Sequence, residues 1–212
     1  MPKLERSIFS RHEPQVLAVL RGGTVGVAGA GGLGSNAAVA LARAGVGRLI
    51  IADFDRVEPS NLNRQQYTVK QIGRRKVKAL QANLKQIAPF TRCAAHDLKI
   101  TPANVAAVFG TADILIEAFD KAEEKGMLIN AWLKLHPDRP IIAASGLAGY
   151  GGNSKLRTQK MGNLYICGDG VSEPAPGVSP MAPRVAIVAG MQANLAVELL
   201  MKSKGRKKNV QV

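Results

Sequence analysis

The sequence predicts an α/β fold, a Rossmann-like doubly wound sheet, on three observations. Short apolar runs alternate with helical stretches along most of the chain, the pattern of strands packed beneath crossover helices. A glycine turn, TVGVAGAGGLG at 24–34, joins the first such strand to the first helix. An acid, Asp53, ends the second strand about 20 residues later, the spacing at which a ribose-binding acid follows a phosphate-binding turn.

The elements follow in order. Strand 24–28 enters the glycine turn, a helix is expected at 35–44, and Gly45 and Gly47 punctuate the return to a parallel strand at 48–53. Helix 74–87 carries Val77, Leu80, Leu84 and Ile87 on one face at helical spacing, and Pro89 stops it. Strands are expected at 93–96 and 113–118, a helix at 123–135 and a buried strand at 140–144. From Gly146 the pattern changes. The glycine-rich SGLAGYGGN precedes short hairpin strands expected at 155–157 and 164–167, so the C-terminal part of the sheet is expected to be short and antiparallel. Residues 168–183 hold four prolines and few apolar residues, which reads as a mobile loop, and helix 184–202 closes the fold. No internal repeat appears. All 212 residues read as one domain, with a helical arm at 1–21 and a basic tail at 203–212.

Composition narrows the classes. A chain of this length buries roughly 70% of its unfolded surface and needs no disulfide or metal staple. The N-terminal MPKLERSIFSRHEP carries Glu5, Arg11 and Glu13 without an apolar core, unlike a signal peptide. The best apolar run is interrupted by Gln192 and Asn194, so no membrane span is expected. Cys93 and Cys167 lie far apart and read as reduced thiols of a cytoplasmic protein. The net charge is +14. Part of it lies in the tail, at Lys202, Lys204, Arg206, Lys207 and Lys208; the rest gathers at Arg64, Lys70, Arg74, Arg75, Lys76, Lys78 and Lys85, near the expected phosphate site. Such a surface attracts polyanions, whether nucleotide, acidic protein or nucleic acid. No aromatic-rich basic face or DNA-reading helix accompanies it.

Ligands of open parallel sheets bind beyond the carboxyl ends of the strands. There, Gly29, Gly31 and Gly34 have the spacing that lets backbone approach phosphate oxygens, and Gly32 adds a further glycine. Asp53 reads as an acceptor for ribose hydroxyls or as a turn cap, and Asp55 shares the capping reading. SNLNRQ at 60–65 reads either as a surface helix start capped by Ser60 or Asn61, or as a polar segment laid over the phosphates. In the second reading Arg64 offers a fork of donors and Lys76 a point charge. Asp120 is an acid at a strand's carboxyl end. His12, His96 and His136 have no metal-ligand spacing.

Together GAGGLG, DFD, NLNRQ, the lysine of GRRKV and Asp120 resemble the ThiF/MoeB/HesA family, bacterial relatives of ubiquitin-activating enzymes, over residues 11–201. SGLAGYGG, LYICGDG and MAPRVAIVAGMQAN are most similar to its short, zinc-free ThiF branch, the adenylyltransferases of the thiamine sulfur carrier. The resemblance implies ATP and Mg²⁺ as cofactors. It implies that Gly29, Gly31, Gly32 and Gly34 form the phosphate turn, that Asp53 holds the ribose, that Asn61, Arg64 and Lys76 contact the phosphates, and that Asp120 orients Mg²⁺. Arg11, in FSRH, would reach the active site of the partner subunit in a homodimer. The implied partner is a small ubiquitin-like sulfur carrier whose C-terminal glycine becomes an acyl-adenylate with release of pyrophosphate. That carboxylate is ionised at neutral pH, so the reaction needs charge neutralisation and alignment rather than a base.

Two departures stand out. Larger relatives have paired CxxC motifs and this chain has none, so no zinc is expected. The family's frequent Asp-x-x-Asp-Asn is here Glu117-Ala-Phe-Asp120-Lys121. Cys167 is the candidate for a cysteine that receives sulfur or the activated carrier, against a competing reading as a small buried residue. Alternative readings are a relative that activates a carboxylate on modified tRNA, a nicotinamide-dependent oxidoreductase, disfavoured because no substrate domain follows, and a non-catalytic ATP-binding scaffold.

Overall fold

The structure, a computed structural model, describes residues 2–208, with side chains described through Ser203. Of the expected basic tail at 203–212, residues 203–208 continue the C-terminal helix instead of forming a separate tail, and 209–212 lie outside the described residues. Seven strands form one sheet: β1 (Thr24–Ala28), β2 (Arg48–Ala52), β3 (Arg92–His96), β4 (Ile114–Glu117), β5 (Ile141–Ala144), β6 (Arg157–Met161) and β7 (Leu164–Gly168). Their order is β3-β2-β1-β4-β5-β7-β6. Every pairing is parallel except β6 with β7, so antiparallel character is confined to the single edge strand β6, while β7 continues the parallel sheet beside β5.

The helices are α1 (Lys3–Ile8), α2 (Pro14–Arg21), α3 (Gly32–Ala44), α4 (Lys76–Ile87), α5 (Val105–Phe109), α6 (Ala122–Leu135) and α7 (Ala182–Lys208). Central strands buried on both faces need apolar residues without alternation, which is what VGVA, LIIA, ILIE and IIAA supply. On one face Val25, Val27, Leu49 and Ile51 pack with Leu41 of α3, Leu80 of α4 and Val188 of α7. On the other, Ile50, Leu115 and Ile141 pack with Phe109 of α5 and Trp132 of α6.

Several boundaries differ from the sequence expectation for physical reasons. Helix α3 starts at Gly32 rather than at 35, because packing against the sheet overrides the low helix propensity of glycine. α5 was not expected: five residues are too few to display a helical period. The hairpin strand lies at β6 rather than at 155–157; all five of its residues are exposed, so RTQKM has no apolar alternation to betray it. Residues 168–183 do form a loop, but one tied down by bridges between Gly149 and Pro180 and between Ala175 and Val178. Contrary to expectation, Ala182–Ser203 is long and apolar enough to cross a membrane. In the fold one face of it packs into the core, with Val188, Ala189, Ala193, Ala196 and Leu200 buried. Its buried Gln192 donates to the carbonyls of Glu117 and Ile142, joining α7 to β4 and β5.

Candidate functional site

The carboxyl end of β1 runs directly into the glycine turn, and the turn is shaped by two contacts that only glycine allows. Gly29 has φ +100°, and a Cβ there would lie 2.6 Å from the Ala118 carbonyl oxygen just past β4. A Cβ on Gly34 would lie 1.8 Å from the Gly29 carbonyl oxygen. Gly31 is different. The nearest atom to its hypothetical Cβ is Gln65 Nε2 at 3.8 Å, so packing within the protein does not demand glycine there. A ligand that must approach the backbone does. The residues present therefore fit a bound phosphate group at the first turn of α3, where amides point outward and the helix dipole favours negative charge.

Asp53 stands immediately after β2 and accepts the Ala30 amide at 2.7 Å on one carboxylate oxygen and the Asp55 amide at 2.7 Å on the other. Burial raises its pKa, while those amides and the Lys76 charge oppose the rise. A carboxylate has about four lone-pair sites, so two remain for ribose hydroxyls. Both readings of Asp53 are thus compatible in one geometry. Asp55 is the partner of Lys76: Lys76 Nζ donates to Asp55 Oδ2 at 2.8 Å, and the Lys76 amide donates to the Asp55 carbonyl at 2.9 Å. Lys76 is only 7% exposed, whereas the Asp55 side chain is half exposed.

The polar segment after residue 58 is held over the glycine turn by the first turn of α3. The Ser35 hydroxyl accepts the Gln66 amide at 3.1 Å. Asn36 Nδ2 donates to the Gly32 carbonyl at 2.6 Å and to the Arg64 carbonyl at 3.0 Å, and its oxygen accepts Gln66 Nε2 at 2.7 Å. The Tyr67 hydroxyl donates to the Ala30 carbonyl at 2.6 Å. Sequence reasoning missed Ser35, Asn36 and Tyr67; the available signal was two polar residues directly after the glycines, at positions a buried helix face would otherwise fill with apolar ones. Asn61 is buried and its side-chain oxygen accepts the Glu58 amide at 3.1 Å, closing a capping box in which Glu58, rather than Ser60 or Asn61, is the N-cap of a short helical turn, and its side-chain amide group remains for a ligand. Arg64 lies across the turn, its Cγ 3.6 Å from the Cβ position of Gly32, and its guanidinium donates to Ser60 O and Asn63 Oδ1. Gln65 is buried beside Gly31 with Oε1 lacking a hydrogen-bond partner, a further residue that the sequence reading did not single out.

Asp120 is exposed two residues beyond Ala118, and therefore beside the Gly29 contact. Glu117 points inward. It is fully buried, its carboxylate accepts Lys125 Nζ at 3.1 and 3.0 Å, and Oε1 also accepts the Phe119 amide at 2.6 Å. Burial raises the Glu117 pKa against the opposing pull of Lys125. Glu117 thus sets the turn carrying Asp120 instead of joining it as a ligand. Among the described residues no three metal-ligating side chains cluster. Mg²⁺ bound with a nucleotide needs only one or two protein carboxylates.

Arg11 is not brought to this site within its own chain. Phe9, two residues earlier, packs on Gly45 past the C-terminal end of α3, whereas the glycine turn lies at the N-terminal end of that helix. Cys167 is fully buried, 3.6 Å from the Thr158 hydroxyl, and burial pushes its thiol upward. That corrects the sulfur-accepting reading: a buried thiol of raised pKa is inert, and the small-core-residue reading holds. Cys93 is likewise pushed up to about 11 by burial. Arg56, Lys70, Arg74 and Lys78 are exposed along the flank of the site, while Arg75 pairs with Asp97 at 3.1 Å.

On the far side of Gly32, α7 begins. Val185 Cγ1 would be 3.0 Å from a Gly32 Cβ, and Arg184 next to it forms a buried ion pair with Asp169 at 2.5 Å. Burial pushes the Asp169 carboxyl up, but the Ser172 hydroxyl, the Val171 and Ser172 amides and Arg184 together outweigh it and hold the group down at about 2.

Known proteins are similar to this chain in sequence and fold. The ThiF family model matches residues 5–211. The chain is 36% identical over 146 residues to the tRNA threonylcarbamoyladenosine dehydratase of Bacillus subtilis, covering 66% of this chain and 57% of that protein. It is 28% identical over 193 residues to the adenylyltransferase and sulfurtransferase MOCS3 of Anopheles gambiae, covering 88% of this chain and 43% of that protein. The chain thus spans about half the length of the curated relatives it matches. The E. coli tRNA N6-threonylcarbamoyladenosine dehydratase, solved with ATP, superposes with a TM-score of 0.86 at 22% identity, covering 97% of this chain and 98% of that one. With a family match over nearly the full sequence and a glycine turn, acid and lysine in one place, this chain belongs to the ThiF family.

Proposed function

We propose that this protein is an ATP-dependent adenylyltransferase that activates a carboxylate on a macromolecular acceptor. The observation that carries the reading is the open Gly31 backbone at the first turn of α3, flanked by Asp53 and by the buried cation Lys76. ATP would lie with its ribose on Asp53 and its phosphates on the Gly31–Gly32 amides, with Lys76 and Arg64 turning from Asp55 and Ser60 to the triphosphate. Asp120 would hold Mg²⁺, which neutralises phosphate charge when bound. An acceptor carboxylate oxygen attacks the α-phosphorus, the bond to the pyrophosphate oxygen breaks, and no proton changes place. Charge stabilisation and alignment are then the whole catalytic contribution.

Two acceptors have support, each from its own observation. The relatives favour a carboxylate on modified tRNA, since a tRNA threonylcarbamoyladenosine dehydratase matches end to end in fold, and the exposed cations Arg56, Lys70, Arg74 and Lys78 suit phosphate contacts. The rim opposite those cations favours a polypeptide tail, such as the C-terminal glycine of a small ubiquitin-like sulfur carrier. Residues 145–152 and 170–181 contain no Lys or Arg, and they expose Tyr150, Val171, Val178 and Met181. ATP–pyrophosphate exchange tests both: stimulation by threonylcarbamoyladenosine-bearing tRNA supports the first reading, and stimulation by a carrier ending in Gly-Gly the second. No exchange with either refutes adenylation.

A further inference from the structure

The loops beyond β5 and β7 are stitched to the start of α7 by one buried pair. Arg184 Nη2 donates to Asp169 Oδ2 at 2.5 Å, and Arg184 Nη1 donates to the Gly151 carbonyl. Asp169 Oδ1 accepts the amides of Val171 at 2.9 Å and Ser172 at 2.8 Å, while Oδ2 accepts the Ser172 hydroxyl at 2.5 Å. The side chains are 5% and 3% exposed. Gly146 closes the cluster: a Cβ there would meet Asp169 Oδ1 at 2.0 Å. The same loops are cross-linked by the Ala148 amide to Ser172 O and the Gly149 amide to Ser179 O.

An ion pair this deeply buried adds little net stability, because desolvating both charges offsets their attraction. What it contributes is a single geometry for three chain segments. The segments it ties, 146–152, 169–172 and the first turn of α7, share a border with the phosphate turn through the Val185–Gly32 contact. They bear the exposed rim side chains Tyr150 and Val171 and none of the residues of the glycine turn itself.

Resting on the adenylyltransferase reading, we infer that Arg184 is a positioning residue for the acceptor: through Asp169 and the Gly151 carbonyl it holds the two loops against which the incoming carboxylate is presented. ATP binding, which depends on the α3 turn, Asp53 and Lys76, does not need it.

The test uses Ser172→Ala, which removes one hydrogen bond and leaves the charges paired, together with Arg184→Lys and Asp169→Asn. With whichever acceptor stimulates the wild-type chain, pyrophosphate exchange should show the acceptor KM raised about threefold in Ser172→Ala and about tenfold or more in Arg184→Lys, while kcat stays within about twofold. The Kd for ATP, from calorimetry, should remain at the wild-type value. Hydrogen exchange should speed up in 146–152 and 169–181 and stay unchanged in β1 and α3. Folded variants whose acceptor KM is unchanged, or whose ATP Kd weakens in step with it, overturn the inference. If neither acceptor stimulates the wild type, the adenylyltransferase reading has failed, an outcome distinct from a stimulated wild type whose folded variants keep its acceptor KM, which overturns the positioning role alone.

Discussion

Gly31→Ala separates ligand approach from folding, because the structure leaves room for the added methyl group. Its nearest neighbour would be Gln65 Nε2 at 3.8 Å, ordinary van der Waals contact, and Gly31 has φ −79°, outside the left-handed region. Gly31 is the N-cap of α3, and alanine there costs about 0.5–1 kcal/mol of capping. Reduced freedom of the unfolded chain returns about 0.4–1 kcal/mol. The balance is near zero, and at about 2–4 °C per kcal/mol for a chain of this size Tm should move by no more than a few degrees. Binding should respond far more strongly. The methyl group occupies the space through which a phosphate oxygen reaches the turn amides, and losing one hydrogen bond to a charged group costs about 1.5–3 kcal/mol. That corresponds to roughly a 10- to 150-fold weaker Kd for ATP. Gly34→Ala is the control of opposite kind: its Cβ would lie 1.8 Å from Gly29 O, so the turn must open and both Tm and binding fall. Calorimetric titration with ATP and thermal melting measure the two quantities independently. A Gly31→Ala protein that melts like wild type and binds ATP within twofold of it would refute a phosphate at this turn.

Other expectations can be checked on the same protein. Lys76→Ala should lower exchange activity by about 10²–10³-fold, from loss of one transition-state cation, whereas Asp55→Ala, which frees the lysine, should cost far less; equal losses in kinetic assays would mean that the pair acts only structurally. Because Arg11 lies away from the glycine turn of its own chain, co-expressed Arg11→Ala and Lys76→Ala chains should recover about a quarter of wild-type activity, since half the dimers of a two-fold assembly carry one intact site. No recovery would remove catalysis across an interface. The Asp169 carboxyl, held at about 2, stabilises the folded chain fully above its unfolded value of about 3.9, and that contribution, on the order of 2–3 kcal/mol, is lost as pH falls towards 2. Asp169→Asn should therefore be less stable than wild type at pH 7, and denaturation curves should converge near pH 2; a gap independent of pH would contradict the assignment.

What was legible in the sequence was whatever rests on local pattern. Apolar runs without alternation, the glycine spacing and the acid after the second strand were enough for the parallel sheet and for placing Gly29, Gly34 and Asp53, because strand burial and tight turns leave marks within a few residues. The short helix at Val105–Phe109 and the exposed edge strand at Arg157–Met161 leave no such marks. Partnership between distant side chains was not legible either. Asn36 reaching Arg64, Lys76 choosing Asp55, Glu117 turning inward to Lys125 and Arg184 meeting Asp169 each join segments separated by 8 to 28 residues. Burial was equally hidden: one-dimensional spacing left Cys167 open as a reactive thiol, and only the packing around it made it inert. Local sterics and hydrophobic periodicity belong to the chain itself, whereas the charge state and reach of a side chain depend on what the rest of the fold places within a few ångströms of it.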